Sequence, residues 1–290
     1  MRPKQILVGT DGTAGSHTAV RWAALEAQRR HRCLRVVHVC DWDGRPDEYD
    51  RGAECLDASH QLADAVVARA SAQARAVAPA VQLELDTLLG KPAARLLDAA
   101  HDAELVVVGS RGRGGFATLL LGSVSERVAA HAPCPVAVVR GRGNADEGPV
   151  AVGVDDSPAA DTVLGTAFEA AACRATGVAV IRTYPWPPPL WTAGVPVVEF
   201  GTPKEDAAER QRVEELLAPW RHKHPEVKVD VLVSHDSPAA VLTGVSRGAQ
   251  LVVVGSHGHG SVVGALLGST GIHLLHHADC PVLIARPARP

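Results

Sequence analysis

Two sets of glycines in this sequence have the spacing of a cradle for an anion. Gly109 follows a valine-rich run and is succeeded by Gly112 and, after nine intervening residues, by Gly122-Ser123; Gly255, Gly258 and Gly268-Ser269 repeat those intervals after a second valine-rich run. Glycine leaves main-chain N–H groups unshielded so that a polyanion can approach them, and a helix opening at the glycine-serine pair adds its positive N-terminal end. The serine hydroxyl is a further donor. Such a loop suits a triphosphate. Glycine after a strand also serves tight turns, but a turn has no use for a second glycine-serine pair at a fixed distance, and both copies keep one. Ser123 and Ser269 can equally be helix N-caps, because capping and phosphate contact use the same geometry.

The elements that must hold these loops read as one domain written twice. Residues 103–140 and 249–286 align without a gap at an offset of 146, with 19 of 38 positions identical. The stretches beginning at Gln5 and Val150 also match and pair Asp11 with Asp155. A repeat of this length is a duplicated domain, well above the period of a solenoid. In the first copy, apolar runs at 6–10, 34–40, 81–88, 105–108 and 136–140 predict strands, and residues 16–30, 54–78, a short stretch from Pro92, and 124–132 predict helices. Strands at 151–154, 178–183, 227–233, 251–254 and 282–285 repeat the order. Strands joined by helical crossovers run parallel, and right-handed crossovers give a doubly wound sheet covered on both faces. The expected fold is therefore α/β, two tandem doubly wound domains at 1–143 and 148–290, joined by a linker at 141–149 that lacks apolar periodicity. Ser157-Pro158 and Ser237-Pro238 each predict a helix start with a capping hydroxyl before proline; Lys91-Pro92 keeps the proline only.

Composition excludes several classes. With 46% apolar and 21% charged residues the chain has material for ordinary cores. Its net charge of −3 provides no basic field for nucleic acid or an anionic membrane. No run of 18 apolar residues occurs, and the first apolar stretch reaches a Gly/Asp turn too soon for a signal-peptide core, so the expectation is a cytoplasmic protein. Six cysteines without a C-x-x-C pair read as reduced, mostly buried thiols. Cys134-Pro135 and Cys280-Pro281 have no base nearby in sequence and read as small packing residues. The His257-x-His259 pair and His273, His276 and His277 lack a carboxylate or cysteine at ligand spacing, so no metal site is expected from them.

Together these residues resemble the universal stress protein family in its tandem, ATP-binding form. The resemblance spans both halves and is carried by the G-x2-G-x9-G-S spacing after a valine-rich strand, V-G-T-D-G at the first strand, and C-P-V before the last. It implies five-stranded parallel sheets ordered 3-2-1-4-5, with ATP across the ends of the first and fourth strands and magnesium on its phosphates. Thr10, Asp11, Val39, Gly109, Gly112, Gly122, Ser123 and Val124 would form the first site. Val154, Asp155, Gly255, Gly258, Gly268, Ser269 and Thr270 would form the second. Asp11 and Asp155 match the aspartate near ribose and adenine, though turn or capping chemistry is an alternative use for both. Val39 sits where the second strand offers backbone groups to adenine. Last strands pair across the family's dimer interface, which implies a homodimer or, within this chain, a pseudo-dimer through 136–140 and 282–285.

The two halves differ in charge at the rim. Arg111 and Arg113 become His257 and His259, and Gly12 becomes Asp156, so the second site is expected to bind ATP more weakly at pH 8 and to gain on acidification. The Trp186-to-Trp191 stretch reads as a lid, a partner surface or a loop folded on its own domain. The expected function is a stress-response regulator whose partner surface depends on ATP occupancy. A slow ATP hydrolase and a nucleotide-independent dimerising scaffold are the competing classes. Gly90-Lys91 is followed by Pro92, so it is no P-loop, and Gly9, Gly12 and Gly15 have the wrong spacing for a dinucleotide fingerprint.

Overall fold

Strands that are valine-, isoleucine- and leucine-rich without alternation must be covered on both faces, and that is how the chain folds. The computed structural model describes residues 5–41, 53–112, 121–143, 145–185, 203–258 and 267–287, with the side chains of 53–60, 203 and 204 left aside. The first lobe runs β1 (Gln5–Thr10), α1 (Ala14–Arg29), β2 (Cys33–Cys40), α2 (Ala53–Val77), β3 (Leu83–Leu89), α3 (Pro92–Ala99), β4 (Ala103–Gly109), α4 (Ser123–His131) and β5 (Val136–Val139). The second runs β6 (Val150–Val154), α5 (Ala160–Cys173), β7 (Val178–Thr183), α6 (Pro203–Lys223), β8 (Val229–Ser234), α7 (Pro238–Ser246), β9 (Leu251–Gly255), α8 (Ser269–His277) and β10 (Val282–Ala285).

All ten strands form one sheet ordered β3-β2-β1-β4-β5-β10-β9-β6-β7-β8. Each lobe has the expected 3-2-1-4-5 order with parallel neighbours. The lobes meet where β5 and β10 pair antiparallel, Val282 opposite Val138 and Ile284 opposite Val136. The anticipated pairing of the last strands is thus made within the chain. Apolar cores on both faces continue across this seam, and β5 and β10 are wholly buried. Alanines 19, 23, 24 and 27 of α1 are fully buried, and their small side chains let the helix lie close to the sheet. The outer edges β3 and β8 carry Glu84, Asp86 and Asp230, charges that oppose further strand addition.

Two glycines fix the linker. Gly141 (φ +52°) and Gly148 (φ +95°) occupy the left-handed region, and a Cβ on either would collide with the backbone of Asp279 or Gly248. Arg142 then donates its N–H to the Asp279 carbonyl (2.6 Å) and its guanidinium to those of Ser246 (3.3 Å) and Ala249 (3.0 Å), fastening the linker to the second lobe.

The two predicted Ser-Pro helix starts had different outcomes. Ser237 caps α7 and Pro238 is its first residue. Ser157-Pro158, by contrast, lies in a turn before α5, which starts at Ala160 from Ala159. The difference lies one residue earlier. Gly12 (φ +79°) turns the first-lobe chain directly into α1, whose N-cap is Thr13. Asp156 stands in its place outside that region, and the chain makes an extra turn, Ala160 N–H to Ser157 O at 3.0 Å.

A single carboxylate binds both lobes near the seam. Glu26 of α1 is fully buried and accepts from Arg30 Nε and from Arg174 Nη2, each at 2.6 Å. Arg30 and Arg174 occupy equivalent positions just past α1 and α5, and the equivalent of Glu26 is Ala170. One acid therefore serves an arginine from each lobe.

Candidate functional site

In the first lobe, three chain segments converge at the carboxyl ends of β1 and β4. Asp11 follows β1, and its Oδ1 accepts the Thr13 N–H (3.0 Å) and hydroxyl (2.7 Å) in a tight turn. Thr10 is buried beneath this turn, its hydroxyl donating to Ser16 Oγ (3.2 Å). Gly109 ends β4 so close to α1 that a Cβ would stand 2.9 Å from the Gly15 carbonyl. Gly112 faces Asp11, whose Oδ2 occupies the space a side chain would need. Gly122 returns to the same place, donating its N–H to Ser110 O at 2.8 Å, and Ser123 begins α4. Val39 lies on β2 one residue beyond the Thr10–His38 pair, at the same rim.

The second lobe reproduces this arrangement. Asp155 Oδ1 accepts the Ser157 N–H (3.0 Å), a Cβ on Gly258 would lie 2.7 Å from Asp155 Oδ2, and the Gly268 N–H donates to Ser256 O (2.7 Å). Gly255 ends β9, and Ser269 and Thr270 open α8. Asp11, Gly109, Gly112, Gly122 and Ser123 come together, as do their counterparts. Val124 packs its side chain against the core, leaving its main chain for the rim, and Val154 is buried at the end of β6.

Among the helices whose starts are described, α1 and α7 are capped by side chains, those of Thr13 and Ser237, whereas α3, α4, α5 and α8 have no side-chain cap; of these four, α4 and α8 start from glycine, Gly122 and Gly268. Ser123 and Ser269 are exposed first helical residues, so neither acts as the N-cap. Nor does the fold need glycine there. Gly122 (φ −79°, ψ 145°) and Gly268 (φ −67°, ψ 153°) have conformations open to any residue, and added Cβ atoms would find nothing nearer than 3.6 and 3.7 Å. In both lobes a helix that starts from glycine without a side-chain cap thus lies beside an aspartate turn.

The family model described as Universal stress protein family matches residues 3–140 and again 148–286. This chain belongs to the universal stress protein family. Universal stress protein Rv2005c of Mycobacterium tuberculosis is 34% identical over 290 residues, covering 97% of this chain and 96% of that protein. Universal stress protein Rv2623 of the same species is 33% identical over 303 residues, with coverage of 97% and 96%. Among solved structures, a universal stress protein from Archaeoglobus fulgidus DSM 4304 superposes with a TM-score of 0.74 at 21% identity, covering 99% of each chain, a likeness of fold.

The two rims of this universal stress protein are not chemically equal. β2 and β7 place His38 and Arg182 at equivalent positions, beside Thr10 and Val154. His38 is buried and donates Nδ1–H to the Thr10 carbonyl (2.8 Å). Arg182 is equally buried and pairs with Asp156 (2.6 Å) and Glu209 (3.1 Å). Burial alone would lower its pKa, but the two carboxylates hold it above the usual value. Counting back from the matching turns at Val81 and Val227, Glu209 of α6 corresponds to Ala63. An ionic set of buried Arg182 and Glu209 with exposed Asp156 thus stands in the second lobe where the first has histidine, alanine and glycine. Sequence reasoning singled out only Asp156, because Arg182 and Glu209 lie 26 and 53 residues from it. It also missed Ser125, whose buried hydroxyl donates to Gly109 O (2.5 Å) and ties α4 to β4.

Arg111 and His257 are exposed, and the Trp186-to-Trp191 stretch, Arg113 and His259 lie outside the described residues. His273 and His277 share a face of α8 with ring centroids 4.5 Å apart. Cys134 and Cys280 are buried, which pushes their thiols up to about 11 and about 12. Thiolate is the reactive form, so iodoacetamide at pH 8 is expected to alkylate exposed Cys173 well before either. Peptide mass spectrometry over a time course checks this; equal rates at the three sites in the native protein would contradict it.

Proposed function

We propose that this universal stress protein binds an adenine nucleotide, ATP, at the rim of each lobe and acts as a stress-responsive regulator rather than as an efficient enzyme. The observation that supports it most is the pair of glycine-started, uncapped helices, where the fold tolerates a side chain and the sequence omits one. Main-chain N–H groups of Gly112, Ser123 and Val124 would receive the phosphates, with the Ser123 hydroxyl as a further donor and Gly122, whose own N–H is held by Ser110 O, leaving room for their approach. Gly258, Ser269 and Thr270 would do so in the second lobe, with Gly268 in the role of Gly122. Asp11 and Asp155 would accept from the ribose, and the main chain at Val39 would meet the adenine edge. Magnesium would ride on the phosphate oxygens and neutralise part of their charge. Among the described residues no helix is long and apolar enough to cross a membrane, in keeping with action in the cytoplasm.

Denaturing the purified protein and chromatographing the supernatant tests this. ATP is expected from the parent, and little from a variant carrying Asp11→Glu with Asp155→Glu. ADP accumulating with time in added ATP would favour the slow hydrolase. Absence of both carried and added nucleotide would leave a dimerising scaffold.

A further inference from the structure

Because β10 runs antiparallel to β5, the end of β10 lies beside the start of β5, where α4 ends; the end of β5 likewise lies beside the end of α8. Arginines stand at both strand ends, Arg286 and Arg140, separated by the same 146 residues as the glycine loops. Arg286 Nη2 crosses the seam and donates to the carbonyls of Ala129 (2.5 Å) and Ala130 (2.9 Å) in the last turn of α4. Arg140 crosses the other way, donating to the carbonyls of His276 (2.6 Å), Leu274 (3.3 Å) and Ala278 at the end of α8. Ala130 and His276 are equivalent positions, so the two contacts are related by the internal repeat.

Burial lowers the pKa of both arginines, and among the described residues no carboxylate lies within ion-pair distance of either. What each guanidinium contacts instead is the negative end of a helix, with Asp279 adding a longer-range attraction at Arg140. Those helices are the two that open at Gly122 and Gly268. Each is nine residues, about 13 Å, and a rod that short transmits the placement of one end to the other.

We propose that Arg286 and Arg140 are positioning residues acting in trans: each, from one lobe, sets the helix whose N-terminus forms the other lobe's nucleotide site, so that neither site is complete alone. This rests on the nucleotide reading above. Amide hydrogen exchange on the full chain, followed over 123–132 and 269–278 during an ATP titration, reads the lobes separately. Arg286→Met is expected to speed exchange over 123–132 and to raise the ATP concentration needed for protection there roughly tenfold. Residues 269–278 should change by less than about twofold. Arg140→Met should give the mirror result, and Arg286→Lys, which keeps the charge, should recover part of the loss and serves if the methionine variant does not fold. Equal change in both helices, change in the arginine's own lobe, or no change overturns the proposal. If ATP protects neither helix of the parent, the nucleotide reading fails, while exchange without ATP still decides whether the arginines act across the seam.

Discussion

Replacing Glu26 with glutamine is expected to destabilise the protein by about 3–5 kcal/mol, the scale for removing one partner of a buried ion pair. Glutamine has nearly the same shape, so the loss is electrostatic. The Arg174 side chain is only 2% exposed and keeps the Ala170 carbonyl (3.0 Å) and the face of Trp22 (5.6 Å), neither of which carries a full negative charge. Arg30 is left with Glu104 at 4.0 Å. Urea denaturation at pH 7 measures the difference. Burial alone would raise the Glu26 pKa, but Arg174 and Arg30 outweigh it and hold the carboxyl below its ordinary 4.5. A depressed acid contributes stability that is complete above its unfolded pKa and is lost as pH falls through the folded one. The parent's advantage over Glu26→Gln should therefore hold at pH 7 and shrink as pH drops below about 4.5. A gap independent of pH would show that the charge on Glu26 is not what stabilises the seam.

The second large effect is expected at Gly122 and Gly268. Changing both to alanine should weaken ATP binding more than tenfold, because a methyl on each would stand where a phosphate must approach the amides. Stability should fall by only about 1 kcal/mol per site, the margin of glycine over alanine at an N-cap, since each added Cβ otherwise meets ordinary contacts. Calorimetric titration with ATP and urea melts of the same samples separate the two quantities. Gly112→Ala provides a contrast. Its methyl would press on Asp11 with or without ligand, so the turn after β1 is disturbed in the free protein as well. Unchanged ATP affinity in the double alanine variant would remove the main support for phosphate binding at these helices.

The strands were legible because buried parallel strands declare themselves as aliphatic runs, and because every run occurs twice; their order was what the family resemblance implied. The convergence of Asp11 with Gly112 and Gly122 followed once β1 and β4 were neighbours, as the resemblance implied, since the turns after adjacent parallel strands share one edge of the sheet. What escaped were pairings whose partners carry no local signal. Glu26 is one acid in an alanine-rich helix, and its partner Arg174 lies 148 residues away. Arg140 and Arg286 were visible as a repeated residue, but they bind main-chain carbonyls, which every sequence supplies equally. The start of α5 was misplaced for a different reason. The Ser-Pro signal was read without the preceding residue, and it is Gly12 against Asp156 that decides whether the chain enters the helix at once.

The antiparallel junction of β5 and β10 has an evolutionary corollary. In an assembly of two identical subunits every substitution falls on both, so an ionic set such as Asp156, Arg182 and Glu209 would have to be tolerated twice. Here the halves share one backbone at fixed stoichiometry, and one of them can drift toward a new ligand or toward silence while the other keeps its original chemistry.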